Sequence, residues 1–463
     1  MTHQFHPTVL REYDIRGIIS ETLNTPDAHA IGRAFASFKP EWKTTRPRIA
    51  VGRDGRLSSP DMEAALIRGL TESGADVVRI PMGPTPMLYF TVCTLGLDGG
   101  IMVTGSHNPP NHNGFKFMMG RKSFYGEDIK QLGVIASKGE YHTGKGEVTD
   151  NNIEPEYLAK LVSTYSGGRK LKVAWDAGNG AAGHVMAALC KALPGEHIAL
   201  YPEINGGFPN HHPDPTVPAN LQDLIRTVRE KKCDFGVAFD GDGDRIGAVD
   251  EHGNILWGDQ LLALLAAPVL KKHPGATIIA DVKASSVLFD EIARLGGTPL
   301  MWKTGHSLVK TKMAETGALI AGEMSGHMFF ADEYFGFDDA LYAAVRLLSL
   351  VSAGKKSLSE LAAHLPKTFS TPELRIDCAD EKKFSIMDAV KKQLTGAGAN
   401  FSDVDGVRVM NKDGWWLLRA SNTQAVLVAR CESEKPEGLA RLQDNLKSML
   451  TAHGVEMKLA TGH

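Results

Sequence analysis

The chain is patterned by short apolar runs that end abruptly in glycine, aspartate or serine. Three of these runs lie at 48–55, 172–180 and 277–283. After each run, apolar residues recur three and four positions apart, which is the spacing of an amphipathic helix. A strand, a turn and a helix that leads to another strand form the unit of a parallel sheet covered by helices. The pattern therefore predicts three similar α/β domains with mixed, largely parallel sheets.

A different pattern follows residue 368. The predicted elements there are strands at 374–377, 406–409, 415–418 and 425–429, and helices at 384–394 and 437–449. The two middle strands are close enough to form a hairpin. This combination is typical of an α+β domain, and its length lies within the usual range for a domain.

Polar segments near residues 153, 254 and 368 separate these units. The expected domains are 1–153, 154–254 and 255–368, which are α/β, and 369–463, which is α+β. The second strand of each α/β unit delivers a polar loop, and these loops lie at 104–108, 240–245 and 322–327. Because open α/β sheets bind ligands at the carboxyl ends of their strands, we expect the loops to meet in a central cleft.

The loop of the first domain carries a serine hydroxyl. Ser106 follows the apolar run 100–103, so it lies at the carboxyl end of a predicted buried strand. Gly105 lets the backbone bend, and Asn108-Pro109 directs the chain out of the sheet. Taken alone, Ser106 and Asn108 would be ordinary turn residues, and it is the other loops that favour a functional hydroxyl here.

The loop of the second domain is the most specific signal. Asp240, Asp242 and Asp244 alternate with glycines after the apolar run 235–239. Without a cation, three carboxylates in a tight and poorly solvated loop would repel strongly. The three can all turn inward on one hard cation, so Mg²⁺ is the expected occupant. A phosphate on Ser106 would supply a further oxygen ligand.

The loop of the third domain carries Glu323, Ser325 and His327. A carboxylate suits two adjacent sugar hydroxyls, and an imidazole can act as an acid or base near neutral pH. Each residue alone would more often be an ordinary loop residue. Together on a strand-end loop, they favour a functional interpretation.

The last domain offers a polar turn between two strands. The turn contains Arg419, Ser421, Asn422 and Thr423. Its guanidinium, hydroxyls, amide and backbone N–H groups would form an anion cradle, without the signature of a nucleotide-binding P-loop. Among basic residues elsewhere, Lys116 is singled out, because it lies shortly after Ser106 and could return to it.

Composition narrows the class of protein. The 463 residues include 51 basic and 54 acidic side chains, a net charge of −3, which argues against nucleic-acid binding by phosphate neutralisation. Five cysteines without CxxC spacing indicate thiols in a reducing compartment. The longest apolar run, 261–270, is too short to span a bilayer, and no signal pattern opens the chain. We expect a cytoplasmic monomer with no nucleic-acid or membrane partner.

The four loops together resemble the α-D-phosphohexomutases, and most closely their bacterial phosphomannomutase/phosphoglucomutase subgroup. The motifs at 104–109, 240–245, 322–327 and 419–423 occur in the order and spacing of that family, over the whole chain. Met324 in the third motif resembles the glucose/mannose subgroup rather than the glucosamine one. The resemblance implies an enzyme that interconverts hexose 1-phosphate and hexose 6-phosphate of mannose, glucose or both.

The resemblance also implies a role for each motif. Ser106 would be a phosphoserine, and one of its phosphate oxygens would hold Mg²⁺ together with Asp240, Asp242 and Asp244. Glu323 and Ser325 would bind sugar hydroxyls. Arg419, Ser421, Asn422 and Thr423 would clamp the phosphate that the substrate already carries. Further ligand contacts would come from Tyr13, Arg16, Lys283, Gly305 and His306. The residues around the transfer would be His107, Lys116, Arg245 and His327.

The implied reaction passes through a bisphosphorylated sugar. Phosphoserine Ser106 would give its phosphoryl group to the substrate, and the resulting 1,6-bisphosphate would turn over and return its other phosphate. Either His327 or Lys116 would accept the proton of the attacking hydroxyl. Two rival functions remain: a phosphatase with Asp240 as its nucleophile, and a sugar-phosphate sensor that needs no phosphate on Ser106.

Overall fold

The computed structural model describes residues 2–38, 42, 46–422 and 424–456, which build four β-sheets. Three of the sheets are mixed and covered by helices, and the fourth is antiparallel. The predicted fold class is confirmed: three α/β domains and a C-terminal α+β domain surround a central cleft.

The first sheet contains the strand that leads to Ser106. Its strands are β1 (Ile15–Ile18), β2 (Arg48–Arg53), β3 (Asp76–Arg79), β4 (Gly99–Val103), β5 (His112–Met119), β6 (Lys122–Ser123) and β7 (Val148–Asp150). The helices are α1 (Thr25–Ala36), α2 (Ser59–Glu72), α3 (Thr85–Leu95) and α4 (Glu127–Lys138). The order is β1-β5-β4-β2-β3-β7, and β6 pairs with β5. Every residue of β4 is buried, as expected for a strand with helices over both faces.

The second sheet carries the acidic loop. Its strands are β8 (Leu171–Asp176), β9 (Gly195–Leu200), β10 (Phe235–Phe239), β11 (Ile246–Asp250) and β12 (Ile255–Leu256). The helices are α5 (Glu154–Ser163), α6 (Gly183–Ala192) and α7 (Gln222–Lys231), preceded by a 3₁₀ turn at Pro218–Leu221. The order is β12-β11-β10-β8-β9.

The third sheet carries the Glu323 loop. Its strands are β13 (Thr277–Asp281), β14 (Thr298–Trp302), β15 (Ile320–Gly322) and β16 (Met328–Phe330), in the order β14-β13-β15-β16. The helices are α8 (Gly258–Lys272), α9 (Ser286–Arg294), α10 (His306–Thr316), α11 (Ala340–Ala353) and α12 (Leu358–Ala362).

The fourth sheet is antiparallel throughout its described pairs. Its strands are β17 (Phe369–Ser370), β18 (Leu374–Asp377), β19 (Phe401–Ser402), β20 (Val407–Asn411), β21 (Gly414–Ala420) and β22 (Val426–Ser433). The helices are α13 (Asp380–Gly396) and α14 (Pro436–Ala452). The order is β17-β22-β21-β20-β19, and β18 also pairs with β22.

The three polar loops occupy the same topological position. In each α/β sheet, a strand with a parallel neighbour is followed by an antiparallel partner: β4 by β5, β10 by β11 and β15 by β16. Each polar loop joins the two strands of such a pair. The domain boundaries stay a prediction, although β12 extends the second sheet to Leu256.

Apolar packing joins the first three domains. One continuous core includes Leu88 of α3, Trp175 of β8 and Leu265 of α8, all buried. The fourth domain has its own core, with Trp416 and Leu446. Within the described residues, no helix combines the length and apolar character needed to cross a membrane.

The closest helix packing in the first domain depends on two glycines. A methyl group on Gly32 of α1 would lie 2.3 Å from the carbonyl oxygen of Leu66 in α2. A methyl group on Gly69 of α2 would likewise lie 2.1 Å from the carbonyl oxygen of His29 in α1. The helices can therefore approach closely only where neither carries a Cβ.

We expect Gly32→Ala to lower the thermal unfolding midpoint, because overpacking of this kind costs about 1–3 kcal/mol. Differential scanning calorimetry would measure the shift. Gly396→Ala at the end of α13 is the control, since its added methyl group would meet no atom within 4 Å. An unchanged midpoint for Gly32→Ala would contradict the packing argument.

Candidate active site

The Ser106 loop and the acidic loop touch each other. Ser106 Oγ lies 3.1 Å from Asp240 Oδ2. A methyl group on Gly241 would lie only 2.3 Å from the carbonyl oxygen of Ser106, so this approach requires glycine. The carboxyl ends of β4 and β10 therefore bring a hydroxyl and a carboxylate into direct contact.

Ser106 itself is buried and held in an uncommon backbone conformation. Its φ angle is 49°, in the left-handed region, and its side chain is almost fully enclosed. The backbone N–H donates to Thr104 Oγ1 at 2.8 Å, and Oγ lies 3.1 Å from Nδ1 of His107. The hydroxyl is thus fixed in direction before any substrate arrives.

The acidic loop forms a buried cluster of carboxylates. Asp240, Asp242 and Asp244 are fully buried, and their candidate ligand oxygens lie within 4.8 Å of one another. Lys116 Nζ, from β5, forms ion pairs with Asp242 Oδ2 at 2.7 Å and with Asp244. Thr85 also donates its hydroxyl hydrogen to Asp242.

The cluster fits a hard divalent cation. Oδ1 of Asp242 and Oδ1 of Asp244 are buried and have no hydrogen-bond partner among the described residues. Carboxylate oxygens without a donor are costly in a protein interior unless a cation compensates them. Three carboxylates at this spacing are the ligand type that such cations prefer.

The charges of the cluster raise the pKa of one of its carboxyls and that of the lysine paired with the other two. Burial, and then the like charges of Asp244 and Asp242, raise the pKa of Asp240 well above its ordinary value. Burial alone would lower the pKa of Lys116, but Asp242 and Asp244 hold it above its usual value. Lys116 is therefore a cation in this site, and Asp240 retains a proton more readily than an ordinary aspartate does.

Basic and imidazole groups line the side of the cluster towards the third domain. Arg245 Nε donates to His327 Nε2 at 3.0 Å, and Arg245 Nη1 lies 3.5 Å from His107 Nε2. Nδ1 of His327 lies 3.0 Å from Oδ2 of Asp338. Burial, and then the charge of Arg245, place the pKa of His107 well below its ordinary value. His107 is thus a neutral ring next to Ser106.

The third domain presents its carboxylate to a neighbouring loop. Glu323 Oε1 accepts from the backbone N–H of Gly305 at 2.6 Å. Gly305 has a φ of 130°, and a Cβ there would lie 2.6 Å from the ring of Tyr13. Ser325 is half-buried on the Glu323 loop, and His306 opens α10 with its ring stacked 5.5 Å from that of His327.

The fourth domain reaches across the cleft. Asn422 Nδ2 donates to the hydroxyl of Tyr13 at 2.6 Å, and this hydroxyl donates to the carbonyl of Thr304 at 2.8 Å. Arg419 Nε donates to Asp405 Oδ2 at 2.9 Å, and the same oxygen accepts from the N–H of Thr304 at 3.0 Å. Residues of the first, third and fourth domains thus meet at one edge of the cleft.

The remaining predicted residues divide between the two halves of the cleft. Arg16 donates to Asp14 at 2.7 Å and to Asn108 of the serine loop at 3.1 Å. Lys283 Nζ instead donates to Glu373 at 3.1 Å, on the side of the fourth domain. Ser421 is buried beside Asn422, and Thr423 lies outside the described residues.

Sequence reasoning missed several residues that shape the site. These are Asp54, Arg56, Thr85, His212, Asp338 and Asp405. Asp54 and Arg56 follow a predicted strand end, as the chosen residues do, so the same rule could have found them. Asp405 follows no apolar run, and its importance depends on Thr304 and Arg419, of which Thr304 is distant in sequence. Asp338 follows the aromatic segment 334–337, but its contact with His327 depends on how the chain folds back.

Comparison with known proteins assigns a family to all four domains. Phosphoglucomutase/phosphomannomutase models match the alpha/beta/alpha domains I, II and III at residues 7–138, 155–253 and 257–369. The C-terminal domain model of the same family matches residues 373–448.

Individual relatives are similar over nearly the whole chain. A phosphomannomutase/phosphoglucomutase of Pseudomonas syringae is 46% identical and covers 94% of this chain and 93% of its own. A phosphoglucomutase of Neisseria meningitidis serogroup A is 44% identical, and the match covers 96% of this chain and 97% of the relative. A crystal structure of a phosphoglucomutase/phosphomannomutase family protein from Burkholderia thailandensis is 42% identical, with 97% and 98% covered and a TM-score of 0.92.

Binding of a divalent cation is expected to release a proton. Because burial and the neighbouring carboxylates raise the pKa of Asp240, a cation competes with a proton for this carboxyl more than for an ordinary aspartate, and affinity should rise with pH until the carboxyl is ionised. Calorimetric titration with Mg²⁺ in buffers of different ionisation enthalpy measures both the affinity and the number of protons released. In Asp240→Asn, binding should weaken and the proton release should disappear. Affinity independent of pH in the unaltered protein would contradict this assignment.

Proposed function

The chain belongs to the phosphoglucomutase/phosphomannomutase family and is a phosphohexomutase, and we propose that it works through a phosphoserine at position 106. It interconverts hexose 1-phosphate and hexose 6-phosphate. The observation that supports the proposed mechanism best is the contact of Ser106 Oγ with the buried carboxylate cluster, 3.1 Å from Asp240.

In the forward half-reaction, the bond between Ser106 Oγ and phosphorus breaks as a sugar hydroxyl oxygen bonds to phosphorus. The sugar then carries phosphate at both O1 and O6. After the bisphosphate turns end over end, its other phosphoryl group returns to Ser106. Phosphoryl transfer needs positioning and neutralised charge more than covalent help from the protein. Lys116, which is buried, and Arg245, which is partly buried beside the loop, supply positive charge.

Asp240, Asp242 and Asp244 would hold Mg²⁺, together with an oxygen of the phosphoserine. When bound, this ion neutralises charge on the transferring phosphoryl group. The choice of Mg²⁺ rests on the all-oxygen donor set and on its preference for carboxylate and phosphate oxygens.

We assign the general base to His327 rather than Lys116. Lys116 is paired with two carboxylates that favour its charged form, which cannot accept a proton. His327 adjoins the same cluster, and Asp338 lies 3.0 Å from its Nδ1. Its Nε2 would take the proton once the sugar hydroxyl replaces the N–H of Arg245 that Nε2 accepts in this structure. A carboxylate beside one ring nitrogen orients an imidazole and stabilises the cation that forms when it accepts a proton.

The other half of the cleft would hold the part of the sugar that does not react. Glu323 and Ser325 would bind hydroxyls, and Tyr13, Arg16, Lys283, Gly305 and His306 would add ligand contacts. The existing phosphate would be clamped by Arg419, Ser421, Asn422 and Thr423. If Glu323 contacts only hydroxyls shared by glucose and mannose, the epimeric 2-hydroxyl goes unread and both sugars should be substrates.

We further propose a cytoplasmic monomer with the domain boundaries given above.

Two alternative functions would use parts of the same site. A phosphatase would carry phosphate on Asp240, but both oxygens of this carboxylate already accept hydrogen bonds, from Ser106 and from the N–H groups of Asp244 and Arg245. A sugar-phosphate sensor would bind hexose phosphate without interconverting it.

We expect Ser106→Ala to reduce turnover by orders of magnitude, since it removes the group that carries the phosphoryl. Intact mass with peptide mapping, before and after glucose 1,6-bisphosphate, should find acid-stable phosphate on Ser106 of the unaltered protein. Ser137→Ala, on the exposed face of α4, is the control and should keep full activity. Full activity in Ser106→Ala, or phosphate on Asp240, would contradict the mechanism.

Asp405→Asn should raise KM for hexose phosphate about tenfold or more while kcat changes little, because a hydrogen bond to a charged group is worth about 1.5–3 kcal/mol. Asp405 orients Arg419, and a phosphate clamp acts in ground and transition states alike. Steady-state kinetics test this. Asp403→Asn is the control, since Asp403 is half-exposed and pairs with Lys391 rather than with Arg419. A fall in kcat at constant KM would count against the role.

A further inference from the structure

We propose that Arg56 is the positioning residue for Ser106, and that its guanidinium sets the shape of the serine loop on which phosphoryl transfer depends. The inference rests on the proposed function, because it concerns the geometry of the same phosphoserine. Arg56 contacts the backbone of the loop and not Ser106 Oγ, so it acts through the loop rather than on the reacting atoms.

The guanidinium of Arg56 is surrounded by carbonyl oxygens of the serine loop. Nη1 donates to the carbonyls of Pro109 at 2.5 Å and His112 at 3.0 Å. Nη2 donates to the carbonyls of Ser106 at 2.7 Å and Asn108 at 2.6 Å. The four Nη hydrogens of a guanidinium are thus matched by four carbonyls of one loop.

The remaining side of the guanidinium is held by Asp54. Oδ2 of Asp54 lies 3.2 Å from Arg56 Nε and also accepts from the backbone N–H of Gly105 at 3.2 Å. Oδ1 accepts from the N–H of Arg56 and from the hydroxyl of Ser59. A Cβ on Gly105 would lie 2.4 Å from Arg56 Nε, so the loop closes tightly on the guanidinium.

The second domain covers this arrangement from outside. The Phe208 ring lies 5.3 Å from Cζ of Arg56, and a Cβ on Gly206 would lie 2.4 Å from the Cα of Arg56. His212 Nε2 donates to the carbonyl of His107 at 2.5 Å. Arg56 is only 1% exposed as a result.

The serine loop needs the guanidinium at its centre because the backbone conformation of the loop is unfavourable by itself. Ser106 adopts a φ of 49°, which a non-glycine residue keeps only where its surroundings impose it. The carbonyls of residues 106, 108, 109 and 112 converge, and without a cation their dipoles would repel. The guanidinium supplies both the charge and a planar set of donors that a lysine ammonium cannot reproduce.

Misplacement of Ser106 has a specific kinetic consequence. Both phosphoryl transfers would slow, whereas the sugar and phosphate contacts in the third and fourth domains would be unchanged. The bisphosphate would then return its phosphoryl group more slowly but dissociate at its usual rate. More of it would escape in each turnover, so the enzyme would lose its phosphate unless bisphosphate were added.

The test compares Arg56→Lys with the unaltered protein. We expect kcat to fall about 100-fold, the effect of a misplacement near 1 Å. KM for glucose 1-phosphate should change little, and activity should come to depend on added glucose 1,6-bisphosphate. Arg346→Lys is the matched control: Arg346 is a largely buried arginine of α11 paired with Asp332, and its loss should lower stability without either kinetic change.

Gly206→Ala provides a second variant that leaves Arg56 in place but presses on its backbone. It should show the same kinetic signature more weakly, and it decides the question if Arg56→Lys does not fold. Unaltered kcat with no requirement for bisphosphate, in whichever variant folds, would overturn the role of Arg56. If the unaltered protein carries no phosphate on Ser106, the proposed function fails instead, so the two failures are distinguishable.

Discussion

Three carboxylates buried within five residues impose the main constraint on this molecule. Asp240, Asp242 and Asp244 lie at the end of β10, where each must be compensated by positive charge or retain a proton. The first domain supplies Lys116 and the hydroxyl of Ser106 for this purpose. Besides the apolar core that the two domains share, polar and charged groups therefore join their loops, and the Ser106 loop can approach this closely only because residue 241 is a glycine.

At the other edge of the cleft, a few polar side chains likewise hold different domains together. Asp405 joins the N–H of Thr304 to the guanidinium of Arg419, and Tyr13 joins Thr304 to Asn422. These groups link the fourth domain to the first and third domains. The fourth domain has its own apolar core, whereas the first three share one. In the proposed mechanism, a substrate whose two ends must exchange places would lie between the Ser106 loop with its carboxylate cluster and this polar edge of the fourth domain.

The sequence predicted the fold class and most elements because strand-end loops and apolar periodicity are local signals. The strands 235–239 and 374–377 coincide with β10 and β18, whereas the helix predicted at 384–394 extends over Asp380–Gly396. Asp405 was missed because its role depends on partners brought near only by folding. The strand-end position of Arg56 could have marked it as a candidate, but it does not reveal which groups the guanidinium contacts. Arg56 reaches carbonyls about fifty positions away, and no local pattern encodes that distance.

The proposed mechanism requires phosphorylated Ser106 and the acidic trio to share one divalent cation. Electron–nuclear double resonance of the phosphorylated protein loaded with Mn²⁺ measures this sharing, because ³¹P couples strongly to the metal only when a phosphate oxygen is a ligand. We expect a strong ³¹P coupling that is absent from Ser106→Ala. Bound Mn²⁺ that shows no ³¹P coupling in fully phosphorylated protein would contradict it.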